Sequence, residues 1–370
     1  MAALRIGVNA LYLIPGGVGG TEIYLRSLLG ALAEIDALNQ YIVFTNRETE
    51  AGLAPATPNF AVAPQPVRAA FRPARMIWEQ TGLPLAVRRE GLDVLLNPGF
   101  TGPILCPCPS VTVFHDLQHK RHPEHFRWLD LPFWRIFLWA SAHRSRLLLA
   151  DSEATRRDLR RFYRLREEQV RVVPLGVGSR FFEVGRQRRQ VEPYLLCVST
   201  LHPHKNLERL IRVFAEFRRS RPEFRLVIAG LRGFHAEALE ALTARLGLGE
   251  HVRLTGWIPQ AELEELYRRA CAFVFPSTFE GFGLPVLEAL AAGIPTACSA
   301  IEPLTELAAG AALQFDPTDE AAMRQALVRL VSDEELRARL SEQGPRRAAA
   351  FPWRRTAELT LAALRQAAGA

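Results

Sequence analysis

What the 370-residue chain lacks narrows its function before any motif is read. It has almost no lysine: Lys120 and Lys205 are the only two among 46 basic residues. The net charge of +7 and the pI near 9.5 are therefore arginine's doing. Those arginines are spread over helix-like segments and not gathered into a basic arm with interleaved aromatics, so no nucleic-acid partner is expected. A basic surface of this kind favours anionic membranes or phosphorylated substrates instead. No apolar run approaches the ~18 residues of a membrane span. The five cysteines are odd in number, and Cys197, Cys271 and Cys298 fall in apolar strand-like runs, which argues against a disulfide framework. Buried thiols in a reducing, cytoplasmic compartment are expected. The apolar start, 4-LRIGVNALYLI-14, runs into 15-PGGVGGTE-22 and not into a cleavage site, so it reads as a buried strand and a turn, with nothing indicating export. No D-x-D sequence occurs, so the carboxylates that would hold a divalent cation on a diphosphate are missing, and no metal is expected.

What is present is one grammar used twice. A strand at 4–13, the glycine turn and a helix at about 21–36 open the first half. Strands follow at 41–46, 92–98, 111–116, 146–151 and 170–176, with a Pro- and Ala-rich loop over 52–75. The charged, aperiodic stretch 181–193 reads as a linker. Strands at 194–199, 225–230, 252–257, 271–276 and 294–299 then alternate with helices at 206–219, 235–246 and 260–269. Short apolar strands alternating with helices imply parallel sheets covered on both faces. The expectation is an α/β chain of two Rossmann-like domains facing a central cleft. Residues 1–180 form the first domain and 194–350 the second. A terminal helix in 351–370 crosses back to the first. Ligands in such sheets bind beyond the carboxyl ends of the strands.

The turn after the 271–276 strand carries the densest chemistry, 275-FPSTFEGFGLPVLEALAAGIP-295. Pro285 suits the first turn of a helix, where its missing N–H costs nothing. Unpaired amides near Gly283 and Leu284, with the helix dipole behind them, make an anion site. Glu280 and Glu288 flank this cradle. Carboxylates accept hydrogen bonds from hydroxyl pairs, so a diphosphate with a sugar at each end, a nucleotide sugar, fits the arrangement. The alternative from spacing alone is a solvated Glu280 and an ordinary first-turn Glu288.

The segment 280-EGFGLPVLE-288 resembles the E-x7-E motif of retaining GT-B glycosyltransferases, in particular glycosyltransferase family 4. The resemblance extends through 15-PGGVGG-20, 115-HD-116, 152-SEATRRDL-159, 173-VPLGV-177, 205-KNL-207, 227-VIAG-230, 255-TGWIP-259 and 351-FPWRRTA-357. It implies that Glu280 meets the donor hexose, that Gly281, Phe282, Gly283 and Leu284 meet sugar and diphosphate, and that Glu288 meets the ribose. It implies too that Lys205 neutralises the leaving diphosphate, and that His115 and Asp116 lie near the reaction centre. The glycine turn with Gly17 and Gly19 is placed by the same resemblance near diphosphate and acceptor. A pattern similar to 198-VSTLHPHK-205 is common in the family's mannosyltransferase-like members, although Ser199 and His204 depart from it. Thr200 stands near the place where many relatives carry an arginine, so the diphosphate would be held by Lys205, the turn amides and Arg232 or an arginine outside this segment.

Other residues read more plainly. The spacing of His115 and His119 would suit zinc on a helix, but Pro123 argues against one, and His119, His122 and His125 are expected to be solvated. In 126-FRWLDLPFWRIFLWASAHRSR-146, the run 131–139 is apolar on most faces, which favours a helix buried in the first domain over an aromatic, basic surface resting on a bilayer. The reading is a retaining, metal-independent hexosyltransferase of polysaccharide or glycolipid synthesis. Its substrates would be a nucleotide-diphosphate sugar, GDP-mannose first, and a saccharide or lipid-linked acceptor, with no cofactor. It would be cytoplasmic, with peripheral attachment to the inner face of the membrane held open. A UDP-sugar enzyme, an epimerase or phosphorylase, and a non-catalytic nucleotide-sugar-binding partner are the alternatives.

Overall fold

The computed structural model describes residues 3–370 apart from 18, 50, 127, 129 and 130. Val18 of the glycine turn and the side chain of His125 lie outside the described residues. The chain divides into two compact units: Met1–Gly176 with Trp353–Ala370, and Val177–Pro352.

The first unit is built on seven parallel strands: β1 (Arg5–Asn9), β2 (Gln40–Thr45), β3 (Phe60–Pro64), β4 (Val94–Asn97), β5 (Ser110–Phe114), β6 (Leu147–Ala150) and β7 (Val170–Val172). Their order is β3-β2-β1-β4-β5-β6-β7. Every residue of β4, β5 and β6 is buried, which is why they read as continuous apolar runs and not as alternation. The second unit has β8 (Glu192–Val198), β9 (Arg225–Ala229), β10 (Val252–Gly256), β11 (Ala270–Phe275), β12 (Thr296–Ser299) and β13 (Leu313–Phe315). They run parallel in the order β10-β9-β8-β11-β12-β13. The covering helices bury one stripe each. Leu207–Ser220 buries Leu207, Leu210, Ile211, Phe214 and Phe217 at helical spacing.

In each sheet the order reverses at one place, between β1 and β4 in the first unit and between β8 and β11 in the second. The loops that leave the carboxyl ends of these neighbours diverge, and the crevice between them is where such sheets take ligands. Lys205 follows β8 and Glu280 follows β11.

The structure differs from the sequence reading at several points. β1 stops at Asn9, and turns follow it at 11–12 and 15–17. The 52–75 segment contains β3 and the start of the helix Arg72–Arg89. β3 is an edge strand, where Pro64 removes no ladder bond that the sheet needs, and Phe60 stacks on Tyr41 at 4.4 Å. The stretch 181–193 is no linker. The helix Ser179–Arg186 buries Phe181 and Val184, with Phe181 edge-on to Tyr267 at 5.2 Å. Arg188 then donates to the carbonyls of Tyr267, Arg268 and Ala270 at 2.7, 3.2 and 2.9 Å. Its charge caps the end of the helix Gln260–Arg269.

The helix Leu131–Arg144 is not buried on all sides. Leu138 and Ala142 enter the core with Trp134 against them, while Phe133, Ile136 and Trp139 are exposed. Their i, i+3, i+6 spacing puts them on one outward face. Among the described residues no helix is long and apolar enough to cross a membrane. Five free thiols are present. Three are buried as expected, whereas Cys106 and Cys108 are only half-buried, with their sulfurs 3.8 Å apart.

Candidate functional site

In the second unit, the loops after β8 and β11 are tied together before any side chain chemistry begins. The carbonyl of His204 accepts from the amide and the hydroxyl of Thr278 at 2.8 and 3.0 Å. Asn206 adopts a left-handed conformation (φ 57°) and donates to the carbonyls of Pro276 and Pro317 at 3.0 and 2.9 Å. The left-handed region suits Asn better than most residues. This frame brings the Lys205 ammonium to 2.6 Å from Glu280 Oε1, with side chains only 16% and 10% exposed. The ammonium also lies 5.6 Å from the Phe275 ring centroid. An ammonium has three N–H donors and a carboxylate about four lone-pair positions. One contact between them leaves both with capacity for a ligand.

Glu280 leads into Gly283, whose φ of 112° belongs to glycine. A Cβ there would also come within 2.4 Å of Leu304 Cδ2. Gly283 caps the helix Leu284–Ala291, with Pro285 in its first turn. The first helix-closing bond is Val286 N–H to the Gly283 carbonyl at 3.0 Å, so the Gly283 and Leu284 amides have no intrahelical acceptor. The side chains of Phe282 and Leu284 are buried, and Phe282 meets Phe351 edge-on at 6.1 Å. These two positions can serve a ligand through the backbone alone.

Glu288 is buried and accepts from the Tyr267 hydroxyl at 2.9 Å. Burial pushes its carboxyl up to about 7, against the opposing pull of Tyr267 and of the Arg180 charge. Arg232 is spent on Glu240 at 2.5 Å on the surface, so it is not held toward Lys205.

The remaining candidates belong to the first unit. His115 follows β5, and both its ring nitrogens are committed: Nδ1 lies 2.7 Å from Asp151 Oδ2 and Nε2 lies 3.0 Å from the Pro98 carbonyl. Tyr24 and Phe100 pack edge-on to the ring at 4.9 and 5.1 Å. Burial disfavours a charged ring, but the Asp151 carboxylate, the Pro98 carbonyl and the Asp116 charge outweigh it, and the His115 pKa is raised. Burial raises Asp151 as well. With an oxygen acceptor at each nitrogen, we take the pair as imidazolium and carboxylate. Asp151 was not singled out from the sequence. Its signal is a carboxylate directly after a buried strand, in front of a helix capped by Ser152, whose hydroxyl accepts from the Thr155 amide at 3.1 Å.

Asp116 accepts from the Gln118 amide at 2.9 Å and so starts the short helix Gln118–Arg121. That helix turns His119 inward. It is buried, bonds the Tyr163 hydroxyl at 2.7 Å, and has its pKa lowered to about 4 by burial and by the charges of Lys120 and Arg135. His119 is therefore not solvated, and it shares no metal position with His115. Gly17 N donates to the Ile14 carbonyl at 2.8 Å, and Gly19, at φ 60°, precedes the helix Gly20–Ile35. The structure thus gathers Lys205, Glu280 and the 281–284 turn in one unit. His115, Asp116, Gly17 and Gly19 lie in the other.

Two titrations follow. Folded Glu288 keeps its proton between the ordinary carboxyl value of 4.5 and about 7, so its contribution to stability is lost as pH rises through 7. Glu288→Gln is expected to raise the Tm by a few degrees at pH 8 and to change it little at pH 4. Equal shifts at both pH values in thermal melts would contradict this. For His115, stability from the charged pair is present below the ordinary imidazole value and is lost as pH rises through the raised one. In Asp151→Asn the His115 ring proton signal is expected to titrate at lower pH than in the wild type, as NMR would show.

Residues 18–180 match the family model Glycosyltransferase Family 4, and residues 181–347 match Glycosyl transferases group 1. The chain is 28% identical over 254 residues to O-antigen chain mannosyltransferase B of Escherichia coli, covering 66% of this chain and 67% of that protein. It is 30% identical over 325 residues to MMP alpha-(1->4)-mannosyltransferase of Mycolicibacterium hassiacum, covering 82% and 76%. Sucrose-phosphate synthase of Thermosynechococcus elongatus shares the fold, with a TM-score of 0.79 over 98% of both chains at 21% identity. With both halves matched and a relative of this identity covered over most of its length, the chain belongs to glycosyltransferase family 4 and has the GT-B fold.

Proposed function

We propose that the protein transfers a hexose, mannose first, from a nucleotide-diphosphate sugar to a hydroxyl of a saccharide or lipid-linked acceptor, with retention at the anomeric carbon and without a metal ion. The observation that carries this is the Lys205–Glu280 pair beside the open amides of Gly283 and Leu284, at the reversal point of the second sheet. The mannosyltransferases among its relatives support the choice of sugar.

In this reading Lys205 and the two amides meet the diphosphate, and charge that grows on the leaving oxygen is met by groups already oriented. Glu280 keeps its Oε2 for the hexose hydroxyls. Glu288, at about 7 in the free protein, ionises when ribose hydroxyls donate to it. The lysine and amides do what a divalent cation does elsewhere. The departing diphosphate oxygen, on the face where the acceptor enters, takes the acceptor proton. His115, held as a cation by Asp151, is a fixed positive charge and donates to the Pro98 carbonyl, so it orients the loop after β4 instead of moving a proton.

Lys205→Ala and Glu280→Ala are expected to lose about 10²–10³-fold in turnover of GDP-mannose while remaining folded. Breaking a mostly buried pair also costs stability, about 3–5 kcal/mol at most, so folding is checked by circular dichroism. Assays run in EDTA should match those without it. Near-wild-type turnover in either variant, or activity lost on chelation and restored by manganese, would contradict the assignment.

We further propose that the helix Leu131–Arg144 rests on an anionic lipid surface, where a lipid-linked acceptor is found. Phe133, Ile136 and Trp139 form its apolar face, Trp128 is exposed nearby in sequence, and Arg135, Arg144 and Arg146 are exposed cations. An apolar face edged by arginines matches an anionic interface. Flotation with phosphatidylglycerol vesicles should carry the protein up, and Ile136→Glu with Trp139→Glu should leave it at the bottom. No flotation of the wild type would end this proposal.

A further inference from the structure

The first sheet has its own reversal point, between β1 and β4, and the side chains buried at its floor have no role assigned above. The last residues of these strands, Asn9 and Asn97, are buried and joined by a 3.2 Å hydrogen bond. Glu79 of the helix Arg72–Arg89 is buried beside them. Its Oε1 accepts from Asn9 at 3.0 Å and its Oε2 from the Thr101 hydroxyl at 3.1 Å. One turn earlier on the same helix stands Arg75.

Arg75 is only 7% exposed. Its Nη2 donates to the neighbouring Met76 sulfur at 3.2 Å, and its Nε has no partner. Among the described residues no carboxylate lies within ion-pair distance of it. The one carboxylate whose charge acts on it, Glu79, is engaged with Asn9 and Thr101 as above, and Glu22, whose charge reaches Tyr12, is held by Arg26 and the Gly16 amide, each at 2.8 Å. Tyr12 lies in the loop after β1, feels both Glu22 and Arg75, and packs so closely on the loop after β4 that a Cβ on Gly99 would reach its ring at 2.4 Å. Arg72, exposed one turn before, adds a second positive charge.

A guanidinium out of water with no carboxylate in contact is a costly arrangement. Its planar fork matches oxyanions in two-point fashion. We infer that the crevice at the β1/β4 reversal binds an oxyanion of the acceptor, phosphate or carboxylate, through Arg75. Resting on the transferase reading, this makes Arg75 a determinant of acceptor choice: it selects acceptors that carry a negative group near the hydroxyl to be glycosylated. Glu79 is a positioning residue, because it ties the helix bearing Arg75 to Asn9 and to Thr101.

The test titrates glycerol 3-phosphate and, separately, glucuronate into the full chain by calorimetry, with GDP at saturation to occupy the donor site. Wild-type protein is expected to bind at least one of them. Arg75→Met should weaken that binding by about tenfold or more, and Arg75→Lys, which keeps charge without the fork, should fall between. GDP affinity should stay within about twofold in both variants. Binding of the phosphate ester alone assigns a phosphorylated acceptor, and of glucuronate alone an acidic sugar. Arg75→Met should also raise the Tm of the ligand-free protein, since an unpaired buried cation is gone. A purely structural arginine would lower it. Equal anion binding in wild type and Arg75→Met, or none to folded wild type, overturns the inference. Failure of GDP to bind while the Arg75-dependent binding persists would instead count against the donor assignment alone.

Discussion

The ion pair between Lys205 and Glu280 is the constraint on which the second unit's chemistry depends. Two opposite charges at 2.6 Å, largely removed from water, hold only if both backbones are fixed. The fixing is done by neutral groups: the His204 carbonyl on Thr278, and the Asn206 side chain on two proline carbonyls. The left-handed Asn206 and the glycine at 283 let the chain take the two turns required. A site of this kind is rigid before a ligand arrives, so little ordering remains to be done on binding.

Glu280 and Glu288 share one short segment and have unlike environments. Glu280 meets a cation. Glu288 is buried behind Tyr267, where loss of water raises its pKa. Carboxylates in such different surroundings suit different tasks, one paired with a lysine, the other shut away from water behind a tyrosine. Neither acid is left as a bare charge beside the open amides of Gly283 and Leu284.

The two units solve a common problem differently. Both are parallel sheets with a reversal point, and both place polar groups there. In the second unit a lysine and a glutamate neutralise each other. In the first, Asn9, Asn97, Thr101 and Glu79 satisfy one another, and Arg75 is the charge left over.

Strand and helix succession was legible because parallel strands are buried on both faces and so appear as short apolar runs. The 280–288 motif was legible because glycine, proline and acid positions there are set by local backbone demands. β3 was hidden by its prolines, and the helix Ser179–Arg186 by its charges, since edge position and carbonyl capping are settled by neighbours far along the chain. Burial and pairing were decided only in three dimensions. Nothing in 115-HDLQH-119 says that Asp151 takes one histidine and Tyr163 the other, or that the helix Leu131–Arg144 keeps an apolar face outward. The sequence by itself determined the fold class, the family and the glycine turn that opens the helix Leu284–Ala291, through periodicity and local conformation. The tertiary structure decided which charges find partners, because that depends on which loops the sheets bring side by side.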